Sequence, residues 1–112
     1  NRELAALADS VFAKGTEINQ YYPDNFIERL RLHRDHRDLL EKPANPETLL
    51  QWIEHVRTWN PHLLSVKIEY ARTLAFSGKK QEAMLFAKQM QSKNPESKAI
   101  EKLINDLEQG IN

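Results

Sequence analysis

WNPHLLSVKIEYARTLAFSGKKQEAMLFAKQMQSKNP, residues 59–95, decides how this chain is read. It opens on Trp59-Asn60-Pro61 and closes on Lys93-Asn94-Pro95, so the Asn-Pro pair returns after 34 residues. Between the two lie apolar positions at helical spacing: Leu63, Val66, Tyr70, Ala71 and Leu74, then Ala83, Met84, Ala87 and Met90. Residues three and four apart share one face of a helix, so the pattern predicts two amphipathic helices. Gly78 separates them, and without a Cβ it can take the left-handed conformation that a tight turn needs. Ala71 and Ala83 are small, which lets two helix backbones approach closely.

Working outward, the same spacing predicts six helices over 2–20, 24–42, 46–58, 62–77, 80–93 and 96–109. The first carries Leu4, Leu7, Ala8, Val11 and Ile18 on one face, read as its buried face, with Gly15 as a weak point. The second starts at Asp24 as an N-cap and has a ragged stripe. Phe26, Ile27 and Leu30 give way to charges before Leu39 and Leu40. The third buries Leu49, Leu50, Ile53 and Val56; the last buries Ala99, Ile100, Leu103, Ile104 and Leu107 and closes on Gly110. Asn45-Pro46, Asn60-Pro61 and Asn94-Pro95 read as three helix starts. Asparagine caps free backbone N–H groups, and proline fits the first helical position because its missing N–H has no partner there. No run alternates apolar and polar residues for long, so no strand is expected. The fold class is all-α: residues 1–22 form an N-terminal helix and turn, and residues 23–112 form helical hairpins with a C-terminal capping helix.

Composition narrows the function. The 112 residues are 40% hydrophobic and 29% charged, which is globular and enough for one modest core. Lysine plus arginine equals aspartate plus glutamate, 16 each, so no net charge draws the chain to nucleic acid. Cysteine is absent, which excludes disulfides, thiol catalysis and cysteine zinc sites. No apolar run reaches the roughly 20 residues that span a bilayer, so any membrane attachment is expected through parts outside these residues. The chain begins at Asn1 rather than Met and reads as a piece of a longer or processed protein. No glycine-rich phosphate loop, nucleophile elbow or cofactor motif is present, so neither a cofactor nor catalysis is expected within it.

Residues 62–95 closely resemble a tetratricopeptide repeat, a unit of 34 residues. Tyr70-Ala71 and Leu74 match the packing positions of its first helix, Gly78-Lys79-Lys80-Gln81-Glu82-Ala83 its glycine turn, and Asn94-Pro95 its closing pair. Lys67 and Ala87 depart from the pattern where an aromatic is usual. The preceding unit has Pro43-Ala44-Asn45-Pro46 in place of a glycine turn. The resemblance implies antiparallel helix hairpins wound into a right-handed superhelix that binds a protein or peptide partner. It also implies a concave groove lined by the first helix of the repeat, with Ser65, Ile68, Arg72, Ala75 and Phe76 as contacts. Arg72 and Phe76 would anchor the partner, since arginine and aromatic residues dominate hot spots.

The order of pieces resembles a second family. Tyr21-Tyr22-Pro23, an Arg/His-rich helix, Lys42-Pro43-Ala44-Asn45-Pro46-Glu47-Thr48-Leu49, Trp59-Asn60-Pro61-His62 and one good repeat are similar to the C-terminal region of certain bacterial membrane enzymes. These are the O-antigen ligases and the related O-oligosaccharyltransferases that glycosylate periplasmic proteins. That likeness implies a periplasmic location, a glycan or acceptor protein handled by the parent enzyme, and transferase chemistry in its membrane part. The alternative is a stand-alone adaptor that scaffolds an assembly.

Three other clusters were weighed. His33 and His36 are three apart, which on a helix puts both imidazoles on one face as in a metal pair. The flanking arginines repel a cation and the zinc-protease glutamate is missing, so no metal is expected. Arg29, Arg31, Arg34 and Arg37, offset by Glu28, Asp35 and Asp38, read as a solvated ion-paired face with Asp38 reaching Arg34, ahead of an anion-binding patch. Trp52, Trp59 and Tyr70 read as core or near-core aromatics, and Tyr21 and Tyr22 as packing the first helix on the second.

Overall fold

The computed structural model describes residues 1–110. Six helices follow one another: α1 (Arg2–Ile18), α2 (Pro23–Asp35), α3 (Pro46–Trp59), α4 (Leu64–Phe76), α5 (Lys80–Lys93) and α6 (Lys98–Glu108). A single 3-10 turn, Arg37–Leu39, lies after α2. No strand occurs among the described residues. Each helix packs on the next, and short connections fold it back on its predecessor. The all-helical hairpin arrangement expected from the sequence is therefore the one observed.

Helix boundaries repeat at the interval that the sequence suggested. α3 and α5 are both 14 residues long, and each end of α5 lies 34 positions after the matching end of α3. α6 begins 34 positions after α4. The layering follows from which helices touch. α2 meets α4 and α4 meets α6 backbone to backbone, whereas the backbones of α1, α3 and α5 stay apart, with Arg57 of α3 reaching over the Phe86 ring of α5 at 5.6 Å. A stack in which only alternate helices meet bends toward them, so α2, α4 and α6 form the inner layer.

Two apolar clusters fill the stack. Ile27, Leu30, Leu49, Ile53, Val56 and Val66 join α2, α3 and α4. Ala71, Leu74, Ala83, Ala87, Met90, Ile100, Leu103, Ile104 and Leu107 join α4, α5 and α6. Tyr70 of α4 and Leu50 of α3 pack against both, and α4 gives buried residues to each, Val66 to the first and Ala71 and Leu74 to the second.

Only one of the three Asn-Pro pairs starts a helix. Asn45 Oδ1 accepts from the Thr48 N–H at 2.8 Å, and Pro46 is the first residue of α3. Asn60 and Asn94 instead end α3 and α5, at φ −138° and −136°, and their Nδ2 atoms donate to the Val56 and Met90 carbonyls. An asparagine satisfies either end of a helix, because its amide both donates and accepts. The two pairs 34 residues apart are thus equivalent stops, and Ser97, not Asn94, caps α6. Gly78 behaves as expected: at φ 84° it ends α4, while Lys79 N–H donates to Leu74 O.

α1 departs most from expectation. Leu4, Leu7, Val11 and Ile18 are 64%, 62%, 57% and 76% exposed, and Ala5 is the one buried residue of the helix. The buried and half-buried positions are instead Ala5, Ala8, Asp9, Phe12, Ala13, Gly15 and Thr16, small and polar residues around one aromatic. Gly15 does not break the helix; it admits α2. A Cβ there would meet the side-chain amide of Asn25 at 2.4–2.9 Å. Gly15→Ala is therefore expected to lose about 1 kcal/mol despite alanine's better helix propensity, whereas in an Asn25→Ala background the same change should gain roughly 0.5–1 kcal/mol. Urea unfolding of the four variants measures both signs, and equal effects in the two backgrounds would remove the steric explanation.

Candidate functional site

The five residues that the repeat resemblance nominated lie on α4, in the inner layer: Ala75 packs against the α4–α5–α6 cluster, and the other four differ in their surroundings. Ser65 is exposed. Ile68 is half-buried against the α4–α5–α6 cluster. Arg72 donates from Nη1 to Asp106 on α6 at 3.0 Å, and Asp106 also accepts from Lys102 at 3.2 Å. Burial alone would raise the Asp106 carboxyl; the Lys102 and Arg72 hydrogen bonds and charges outweigh it and hold the group below the usual carboxylate range. Phe76 packs beside the α2–α3–α4 cluster, with the Arg37 guanidinium 5.4 Å over its ring. Two of the four thus have partners within the chain.

The Arg/His-rich segment is not a solvated face. Helix α2 ends at Asp35, so His36 lies beyond it in a non-helical conformation and Asp38 sits in the 3-10 turn. His33 and His36 do not share a helix face: His33 is buried and His36 exposed. Among the described residues no group of three or more His, Cys, Asp or Glu could hold a metal. Arg34 is turned into the protein, its side chain 2% exposed. It donates to Glu69 on α4 at 2.8 Å, to Thr73 at 3.3 Å and to both oxygens of Asp35 at 2.8 and 2.9 Å, rather than to Asp38. Burial works against its charge, but the hydrogen bonds and charges of Asp35 and Glu69 prevail and raise its pKa. Arg31 adds a second donor to Glu69 at 3.0 Å. Glu69 is thereby the charged hinge between α2 and α4.

A second polar clasp holds α1. His33 Nε2 lies 2.7 Å from Asp9 Oδ1, and the same oxygen accepts from Arg29 Nε at 2.7 Å. The other ring nitrogen, Nδ1, accepts from the Ala44 N–H at 2.8 Å. An accepting Nδ1 carries no proton, so this imidazole is neutral and its Nε2–H donates to Asp9. Trp52 meets the His33 ring edge-on at 5.2 Å between centroids, and Arg29 lies 4.5 Å over Trp52. Arg37 donates to the carbonyls of His33 and Ala44. A carboxylate–imidazole pair resembles half of a catalytic triad. Here the second nitrogen is engaged by a backbone amide inside the protein, in the place where a triad would have its nucleophile.

Two surfaces lack comparable closure. One is the α1 stripe. The other is an aromatic end, where Tyr21 and Trp59 meet edge-on at 4.6 Å with Tyr22 and Leu63 exposed nearby in the chain. Trp59, expected in the core, is 54% exposed. Tyr21 packs on Trp59 of α3, while Tyr22 donates to Asp24 on α2 at 2.8 Å. Trp52 and Tyr70 are half-buried against the core, as expected. Sequence reasoning missed Asp9, Glu69 and Thr73, which carry the two clasps. The available signal was an acidic residue inside an otherwise small, helix-facing set on α1, and a glutamate between the apolar positions of α4. No protein-family model, curated protein or solved structure matches this chain.

Proposed function

We propose that this chain is a partner-holding helical module of the tetratricopeptide type. In this reading it is the periplasmic C-terminal domain of a membrane oligosaccharide ligase of the O-antigen ligase and O-oligosaccharyltransferase kind. The observation that carries the repeat reading is the 34-residue recurrence of helix boundaries from α3 to α5 and from α4 to α6. The ligase reading rests on the order of motifs from Tyr21-Tyr22-Pro23 to Asn94-Pro95. The module would recruit or orient a partner or acceptor protein, with the transfer chemistry elsewhere in the parent. The full coding sequence tests the parentage. Multiple membrane spans ahead of Asn1 support it, and a polar soluble region there assigns the stand-alone adaptor instead.

The contact face we assign is the outer edge of α1. A partner lying over Ser65, Ile68, Arg72 and Phe76 would compete with the Arg72–Asp106 pair and with the packing of Phe76. The α1 edge asks for no such exchange. Leu4, Leu7, Val11, Lys14 and Ile18 alternate at three- and four-residue steps, the spacing of a coiled-coil seam. The opposite end of the stack differs: α6 turns Lys98, Ala99, Glu101, Lys102, Asn105 and Glu108 outward, with Ile100, Leu103, Ile104 and Leu107 inside, as a capping helix does. The occupant that fits α1 is an amphipathic helix of a partner protein with a carboxylate facing Lys14, whose own pairing to Glu17 is long at 4.0 Å and exposed.

The probe is a synthetic helix with leucines at the seam and one glutamate opposite Lys14, titrated by calorimetry. Val11→Glu is expected to weaken it by more than tenfold, about 1.4 kcal/mol or more, while Arg72→Ala leaves it unchanged. The reverse pattern would return the contact to the inner face. Concentration-dependent dimers lost in Val11→Glu would make the occupant a second copy of the chain.

A further inference from the structure

We propose that His33 is a pH-sensitive latch: its neutral ring pins the connection between α2 and α3, and a second proton frees that connection while α1 stays tied. His33 is buried and joins three separate segments, donating to Asp9 on α1 and accepting from the Ala44 N–H in the connection, from its own place on α2. Because Nε2 already carries the ring proton, a second proton can enter only at Nδ1. There it meets the Ala44 N–H at 2.8 Å, so two donors would face each other across a bond that needs one acceptor. One of them has to move. The ring is held by Asp9 and by the edge of Trp52, whereas Ala44 belongs to a connection without regular structure, so the connection gives way.

The groups facing the ring decide what remains. From α1 comes Asp9. Burial would raise its carboxyl, but hydrogen bonds and charge from Arg29 and His33 outweigh that and keep it below the usual carboxylate range, so it stays charged while an imidazole titrates. The Nε2–H bond to Asp9 therefore becomes an ion pair on protonation and tightens. From α2, Arg29 shares the Asp9 oxygen, while Arg34 is turned to Glu69 and Asp35. From the 3-10 turn, Arg37 bridges the carbonyls of His33 and Ala44, a contact that must stretch as Ala44 leaves. From α3, Trp52 offers an uncharged edge. The consequence is directional: acid loosens residues 40–45, which carry Leu40 into the core and set the start of α3, without undocking α1.

Residue-resolved NMR of the 112-residue chain, followed from mildly alkaline into acidic solution, tests this. The expected result is a His33 ring protonated on Nε2 alone at high pH. As it takes up its second proton, the protection factor of the Ala44 amide should fall at least tenfold, with those of α1 unchanged. His33→Gln retains an acceptor for Ala44 but cannot be protonated, and should abolish the pH dependence. An Ala44 amide indifferent to His33 protonation, loss of α1 protection in step with Ala44, or a ring that stays neutral until global unfolding each overturns the latch. The wild-type titration decides the matter even if the glutamine variant fails to fold.

Discussion

Glu69→Ala is expected to lower the unfolding free energy by about 3 kcal/mol, a large share of the roughly 5–15 kcal/mol that holds a domain of this size. Glu69 is buried on α4 and accepts from both Arg31 and Arg34 on α2. Its removal leaves the Arg34 guanidinium, 2% exposed, with Asp35 and Thr73 as its remaining partners. A buried charge that loses a partner keeps its desolvation penalty and loses much of the compensating attraction, which is why such single deletions cost more than the pair itself contributes. Asp35 limits the damage, so the lower end of the usual 3–5 kcal/mol range is the expectation. The double variant Arg34→Met, Glu69→Leu removes both charges and retains bulk; it should recover most of the loss. Urea unfolding followed by circular dichroism reads both. A Glu69→Ala variant within about 0.5 kcal/mol of the parent would show that water already compensates Arg34, and the hinge role of Glu69 would fall.

What the sequence reveals depends on how far apart the interacting residues lie. Local geometry was readable. Gly78 ends α4 at positive φ as its missing Cβ suggested, Asn45 caps α3, and the apolar stripes of α3 and α6 face inward except for Ala99, which is exposed. The Asn-Pro pairs at 60 and 94 were readable as punctuation but not in sense, because asparagine serves a helix end as well as a helix start. α1 was misread because hydrophobicity ranks its bulky stripe above the small one. The helix docks through Ala5 and the close approach at Gly15, with Asp9 as the tether, a set that looks solvent-facing by composition.

The Arg/His segment was misread for a related reason. Arg34 and Glu69 are 35 residues apart, and neither residue type announces burial. Periodicity along one helix cannot see a carboxylate supplied by another. The ragged stripe of α2 was nonetheless the trace of this network: where the apolar residues give out, His33 and Arg34 take the buried positions. The contact surface was legible only by analogy. The repeat resemblance directed attention to Arg72 and Phe76, whereas the unusual exposure of Leu4, Leu7, Val11 and Ile18 becomes visible only once α1 is docked by its other side.

The second large effect concerns the far end of the stack. Leu103→Ala is expected to cost about 4 kcal/mol, in the upper half of the range for buried leucines. Leu103 is fully buried in the cluster that α6 closes over α4 and α5. Three members of that cluster, Ala71, Ala83 and Ala87, are alanines with no exposure. Alanines admit close helix approach but have no side-chain reach with which to refill a void, so the cavity left by leucine persists and the cost approaches its full value. The polar link that remains, Arg72 to Asp106 with Lys102 alongside, is partly solvated and contributes too little to offset the loss. α6 touches only α4 and α5, so the damage should spread inward from one end of the stack, as in repeat proteins whose units support their neighbours. Hydrogen exchange should show lost protection in α5 and α6 well before α2 and α3, while Lys98→Ala on the exposed face of α6 leaves both unchanged. A uniform loss across all six helices would instead mean that the two clusters fold as one cooperative unit, with Leu50 of α3 and Tyr70 of α4 coupling them.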